Sequence, residues 1–287
     1  MSQRKILLSA DTPCDIGPEL KERYHVSMYP LHILLDDKQY TDGKDITLDE
    51  LYTAWRERKS LPRTAAINPE EYVAYFRPFL EEGYDILHLS LGSGLSCCHQ
   101  NAAIAAESMD RHVYVIDSCS LSTGFGLLVC EAGERIAKGM DIETVYREVS
   151  ALTQKTRASF VIDTLEFLHA GGRCSGLAQL GADLLSLKPT ILVKNDKQGV
   201  MGVGKKYIGK LDKALLKYVD DQLAGRTDVA LDRVFVTYST MDRALVEKVC
   251  DRVQQLQPFK EVFTTNASCT IGAHCGPNTL GVLFLTK

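Results

Sequence analysis

Short apolar runs alternate with polar segments of helical spacing along the first half of the chain. Residues 5–10 read as a strand and 17–24 as a helix. Residues 28–35 are apolar and extended, 36–38 form a turn, and 39–41 return as a strand. Thr47 is placed to cap a helix running to about residue 59, with Glu50 at the capping-box position. Asn68-Pro69-Glu70-Glu71 opens another helix: a cap, a proline in the first turn, then acids at the positive end of the dipole. Residues 85–90 and 113–117 are strands, followed by helices over 100–109 and 124–138, and Asp141 caps a helix to about residue 156. This βαβα order predicts a mainly parallel sheet covered on both faces.

The pattern changes near Arg157. A strand over 159–162 and a short helix over 164–169 precede the break Gly171-Gly172-Arg173. An apolar helix is expected over 177–187, then strand, turn and strand over 190–194, 195–199 and 200–206, an antiparallel pair. Helices over 211–223 and 244–255 alternate with strands over 233–237, 261–265 and 280–285. The expected fold is α/β in two domains. Residues 1–157 form one with a mainly parallel sheet, and 158–287 a second with a mixed sheet.

Apolar residues make up 45% of the chain and charged residues 24%, an ordinary globular balance. The net charge of −4 is spread out, with no basic run to grip phosphates, so nucleic acid is not an expected partner. The opening MSQRKILLSA reads as a first strand and not as an export signal. No apolar run reaches the roughly 18 residues that span a bilayer, so the expectation is a soluble, cytoplasmic protein without stable membrane insertion. The nine cysteines are odd in number and are expected as reduced thiols. Cys97, Cys98 and His99 are adjacent, which suits a tetrahedral metal poorly, and no C-x-x-C pair occurs; no metal is expected.

Several segments could carry chemistry. Gly199 to Lys205 fits G-x-x-x-x-G-K, but Lys206 stands where a phosphate-binding loop needs Ser or Thr, and Val200, Met201 and Val203 suit a return strand. Gly94-Leu95-Ser96-Cys97-Cys98 lies between a strand and a helix, as a hydrolase nucleophile does, and His274 could serve as the base. Cys98 stands where that elbow needs glycine. A serine acyl-ester hydrolase using Ser96 and His274 is thus the alternative reading. A serine at a helix start can instead donate to a carboxylate without attacking anything, and Ser93 and Ser96 can both act as helix caps. Thr64 is another short hydroxyl in an irregular segment. Asp11-Thr12-Pro13-Cys14-Asp15 and Asp117-Ser118 each follow a strand, on the sheet edge where α/β folds bind ligands. Arg173 and His274, each in a glycine-rich loop, are candidate positive charges.

Taken in order, these segments resemble the DegV family, which includes the fatty-acid-binding subunits of bacterial fatty acid kinase. The resemblance is carried along nearly the whole chain by Asp11-Thr-x-x-Asp15, Thr64-Ala-Ala-Ile-Asn-Pro69, Ser93-Gly-Leu-Ser96, Asp117-Ser118, Asp163-Thr-Leu-x-x-Leu168, Gly171-Gly-Arg173, Lys188-Pro189, His274 and Gly276-Pro-x-Thr-Leu-Gly281. Cys97-Cys98 departs from the usual Gly-Thr, and Ala65 from the usual serine. The resemblance implies a long-chain fatty acid held between the two domains. Its carboxylate would meet Thr64 and Ser96, with Arg173 and His274 close by and Ser93, Ser118 and Asp11 behind them. Leu177, Leu180, Leu184 and Leu185 would line an acyl tunnel, although their spacing equally describes core packing. It further implies a carrier without cofactor or chemistry of its own. A separate ATP-dependent fatty acid kinase would convert the bound acid to an acyl phosphate, for use in phospholipid metabolism.

Overall fold

The computed structural model describes residues 4–109, 112–175 and 187–287. Strand β1 (Lys5–Asp11) passes through a 3-10 turn (Thr12–Cys14) into helix α1 (Gly17–Arg23). Strands β2 (Ser27–Tyr29), β3 (His32–Leu35) and β4 (Lys38–Thr41), helix α2 (Leu48–Arg58) and strand β5 (Arg63–Ala65) follow. Helix α3 (Pro69–Glu81), strand β6 (Tyr84–Ser90), helix α4 (Cys98–Glu107), strand β7 (Val113–Asp117) and helices α5 (Ser122–Ala137) and α6 (Ile142–Leu152) complete the first half. The second half runs β8 (Thr156–Arg157), β9 (Ser159–Val161), α7 (Glu166–Gly171), β10 (Cys174–Ser175), β11 (Leu187–Lys194) and β12 (Val200–Ile208). It ends with α8 (Leu211–Leu223), β13 (Val229–Tyr238), α9 (Arg243–Leu256), β14 (Glu261–Asn266), α10 (Cys269–Cys275) and β15 (Leu280–Thr286). The apolar helix expected over 177–187, with Leu177, Leu180, Leu184 and Leu185, falls outside the described residues except for its last position, and Leu187 opens β11.

The first sheet is parallel throughout, in the order β2-β1-β6-β7. The second is mixed, in the order β10-β12-β11-β9-β15-β13-β14, with β8 also on β15. This is the α/β architecture expected, with a parallel and a mixed sheet. The predicted capping box at Thr47 forms, and the predicted cap Asn68 makes a second one: Thr47 and Asn68 accept from the N–H of Glu50 and Glu71, whose carboxylates return the bond. Asp141 caps α6 through the Thr144 N–H.

Two features depart from the sequence reading. The extended stretch over 28–35 is two strands, because Pro30 lacks an N–H to continue the ladder. β2 joins the parallel sheet, whereas β3 joins a separate antiparallel sheet, β4-β3-β5, that includes the unexpected strand β5. The other departure is α10, where a glycine-rich loop was expected; Ser268 caps it by accepting from the Ile271 N–H.

Helix α5 fastens the two halves. Its side chains from Ser122 to Cys130 are all buried. A Cβ on Gly126 would lie 2.4 Å from the Cys14 carbonyl oxygen, and one on Gly124 would lie 2.8 Å from Ala158 Cβ. The small residues therefore let the helix backbone approach the turn after β1 on one side and the second sheet on the other. The largest apolar cluster runs through this contact, from Leu8 to Leu285. Since backbone cannot retract like a side chain, Gly126→Ala is expected to cost about 1–3 kcal/mol of stability by overpacking. Urea unfolding measures it, and an unchanged midpoint would contradict the close contact.

Candidate functional site

A cavity of about 340 Å³ lies where β5, the loop after β6, α7, α10 and strands β9 and β12 meet. Its volume falls in the range of about 300–1,000 Å³ typical of small-molecule sites. Leu91, Leu121, Phe160, Leu168, Met201 and Ile271 supply apolar wall. Thr64, Ser93, Ser96, Arg173 and His274 supply the polar groups that line it, and Cys97 lies beside Ser96.

Thr64 sits at the centre of β5, opposite Ile33 of β3. Its Oγ1 lies 2.8 Å from His274 Nε2, across 210 positions of sequence. His274 occupies the last turn of α10 and not a loop. Its Nδ1 is buried and has no hydrogen-bond partner among the described residues. A Cβ on Gly171 would lie 2.2 Å from that nitrogen, so the ring fits only against glycine. Burial first, and the Arg173 charge second, push the imidazole down to about 4. The positive charge expected at His274 is therefore absent from the empty cavity at neutral pH. Arg173 is the cation there: it is exposed, follows the left-handed Gly172, and donates to the Gly171 carbonyl at 2.6 Å.

The loop carrying Ser93 and Ser96 is pinned from both sides. Gly92 N–H donates to the Ser120 carbonyl, and Gly94 N–H to the Gln198 carbonyl in the hairpin turn, each at 2.9 Å. A Cβ on either glycine would come within 3.0 Å of those backbones. Ser93 donates through both N–H and hydroxyl to Asp117, at 3.0 and 2.5 Å, so its proton is committed away from the cavity. Ser96 accepts from the Cys98 N–H and donates to the Cys98 sulfur, each at 3.2 Å, at the start of α4.

Thr64, Ser93, Ser96, Arg173 and His274 thus share one cavity. Ser118 and Asp11 stand behind it. Ser118 is fully buried and exchanges bonds with the Ser120 backbone. Asp11 is fully buried and accepts from the Tyr72 hydroxyl and the Leu91 N–H. The hydrolase arrangement is not assembled among the described residues: His274 pairs with Thr64, Ser96 with Cys98, and no carboxylate there orients Nδ1. The run from Gly199 to Lys205 is the turn into β12, with Lys205 on Asp221 at 2.6 Å, which is the hairpin reading. Among the described residues no cluster of His, Cys, Asp and Glu could hold a metal, and no helix is long and apolar enough to cross a membrane.

Sequence reading did not single out Asp42. It accepts from the N–H groups of Cys269 and Thr270 and the hydroxyls of Thr270 and Thr12. Asp15 accepts from Ser268 N–H and the Ser122 hydroxyl, and burial pushes it up to about 7. Together they hold the N-terminal turn of the helix that presents Ile271 and His274. These contacts span 227 positions for Cys269 and 253 for Ser268, a separation no local pattern reports.

The sequence profile of the DegV family matches residues 5–287, and the chain belongs to that family. A DegV domain-containing protein of Caldanaerobacter subterraneus subsp. tengcongensis is 31% identical over 284 residues, covering 99% of each chain. A DegV family protein from Thermus thermophilus, solved for its fatty acid binding, is 28% identical with a TM-score of 0.86, covering 99% of this chain and 100% of its own. A DegV family protein from Ruminococcus gnavus with vaccenic acid is 21% identical with a TM-score of 0.87, covering 98% and 100%, and shows the shared fold.

The His274 ring has a measurable signature. In ligand-free protein its ¹⁵N imidazole shifts are expected to stay constant from pH 8 to 5 and to titrate near 4. Because the folded value is depressed, the neutral ring's contribution to stability is present above about pH 6.5 and is lost as pH falls through 4. A midpoint near the ordinary histidine value would contradict the enclosed geometry.

Proposed function

We propose that this protein carries one long-chain fatty acid in the 340 Å³ cavity and performs no chemistry on it alone. The observation that supports this most is the convergence of Thr64, Ser96, Arg173 and His274 on a single cavity that otherwise offers apolar wall. The fatty acid binding of the Thermus thermophilus relative points the same way. Burying a sixteen-carbon tail contributes on the order of 12 kcal/mol, at ~0.8 per methylene. Immobilising the chain offsets several of these, which leaves affinity in the nanomolar-to-micromolar range.

The carboxylate cannot be buried bare. In this reading Thr64 and Ser96 turn their hydroxyl protons to it, and Arg173 supplies the fixed charge. His274 is neutral while the cavity is empty, and an arriving anion favours its protonation. Phosphorylation requires a separate ATP-dependent kinase in the cytoplasm, which brings nucleotide and metal; this chain needs no cofactor. Arg173 and His274 then stabilise charge on the transferred phosphoryl group.

Native mass spectrometry of freshly purified protein is expected to show an added mass matching a C14–C20 acid. Arg173→Ala and Ser96→Ala are each expected to weaken binding about tenfold or more, as charged hydrogen bonds of roughly 1.5–3 kcal/mol are lost. His274→Ala is expected to reduce acyl phosphate formation by a fatty acid kinase more than it reduces binding. A delipidated protein that takes up no fatty acid would discard the carrier role; a His274→Ala protein unchanged in both assays would discard the phosphoryl role.

A further inference from the structure

Behind the cavity wall lie two hydrogen-bonded groups, one around Asp11 and one joining Ser96 to Cys98. Asp11, at the end of β1, accepts from the Tyr72 hydroxyl at 2.7 Å and the Leu91 N–H at 3.1 Å. His88 Nε2 lies 3.3 Å from the same carboxylate without forming a hydrogen bond. A carboxylate only accepts, so Tyr72 commits its single proton to Asp11. The Cys98 thiol at the start of α4 is fully buried. Burial first, then the Asp11 charge, pushes that thiol up to about 12, so it keeps its proton at neutral pH. Its sulfur accepts from the Ser96 hydroxyl at 3.2 Å. Ser96 Oγ accepts in return from the Cys98 N–H.

We propose that Cys98 sets the resting direction of the Ser96 proton and thereby tunes carboxylate affinity in the cavity. This rests on the fatty acid reading given above. A bound carboxylate must draw the Ser96 proton off its resting acceptor. Sulfur is a weak acceptor and releases it readily. An oxygen in its place holds it harder, and a side chain with no acceptor leaves it free. Cys98 is thus a positioning residue that touches the ligand only through Ser96.

The test is calorimetric titration of delipidated protein with hexadecanoate. Wild type, Cys98→Ser and Cys98→Ala are compared, each with and without Ser96→Ala. Cys98→Ser is expected to bind about three- to fivefold more weakly than wild type, and Cys98→Ala at least as tightly as wild type. In the Ser96→Ala background these differences should shrink below about twofold, because the coupling passes through the lost hydroxyl. A packing effect of position 98 would persist there. Equal affinity of Cys98→Ser and wild type, or a difference that survives Ser96→Ala, overturns the proposal. Wild type that binds no hexadecanoate overturns the carrier reading and this inference with it. If Cys98→Ser does not fold, Cys98→Ala alone asks the same question. It leaves the Ser96 proton without its resting acceptor, and is expected to bind at least as tightly as wild type where Ser96 is present. Weaker binding by Cys98→Ala in that background overturns the proposal equally.

Discussion

Two buried acids that pair with no base among the described residues hold the geometry of the site. Asp15 and Asp42 belong to the first half of the chain, and each accepts N–H bonds from the opening turn of α10 near the other end. The free donors and positive field of a helix start compensate charge that would otherwise be too costly to bury. Hydroxyls of Thr12, Thr270 and Ser122 satisfy the remaining lone pairs. The helix is short, so holding its first turn also fixes its last, and with it the distance from His274 to Thr64. Burial raises Asp15 to about 7, since these bonds only partly offset its loss of solvent.

The cavity lining divides its work between a permanent charge and a conditional one. Arg173 is solvated and cationic, so it costs little while the cavity is empty. His274 is enclosed and neutral, which spares the protein a buried charge without a counter-ion. The hydroxyls between them can reverse their bonds without moving heavy atoms. Such a lining tolerates both emptiness and an anion.

The elements that local chemistry specifies were legible in the sequence. Capping signals at Thr47, Asn68 and Asp141 placed three helices, and apolar runs placed the parallel strands. What escaped depends on distant partners. β5 is three residues long and becomes a strand only because β3 lies beside it. α10 carries glycine within a single helical stretch, where propensity is poor, and it forms because Asp15 and Asp42 receive its N–H groups. Pro30 was visible, but its meaning as the point where one extended segment changes sheets was not. The polar residues that line the cavity were named through ordered motifs. The neutrality of His274 could not be read from them, because it follows from enclosure by Gly171 and its surroundings.

Backbone contact along α5 bears on how this protein can diverge. Gly124 and Gly126 admit no added methyl without displacing neighbouring strands or turns. Substitutions there shift one half of the molecule against the other, and the cavity lining draws on both halves. The apolar wall residues carry no such constraint, since a leucine, methionine or phenylalanine can exchange with modest repacking. In the carrier reading proposed above, lineages can therefore retune which tail is accommodated while the polar groups of the cavity stay in register, and preference evolves separately from grip.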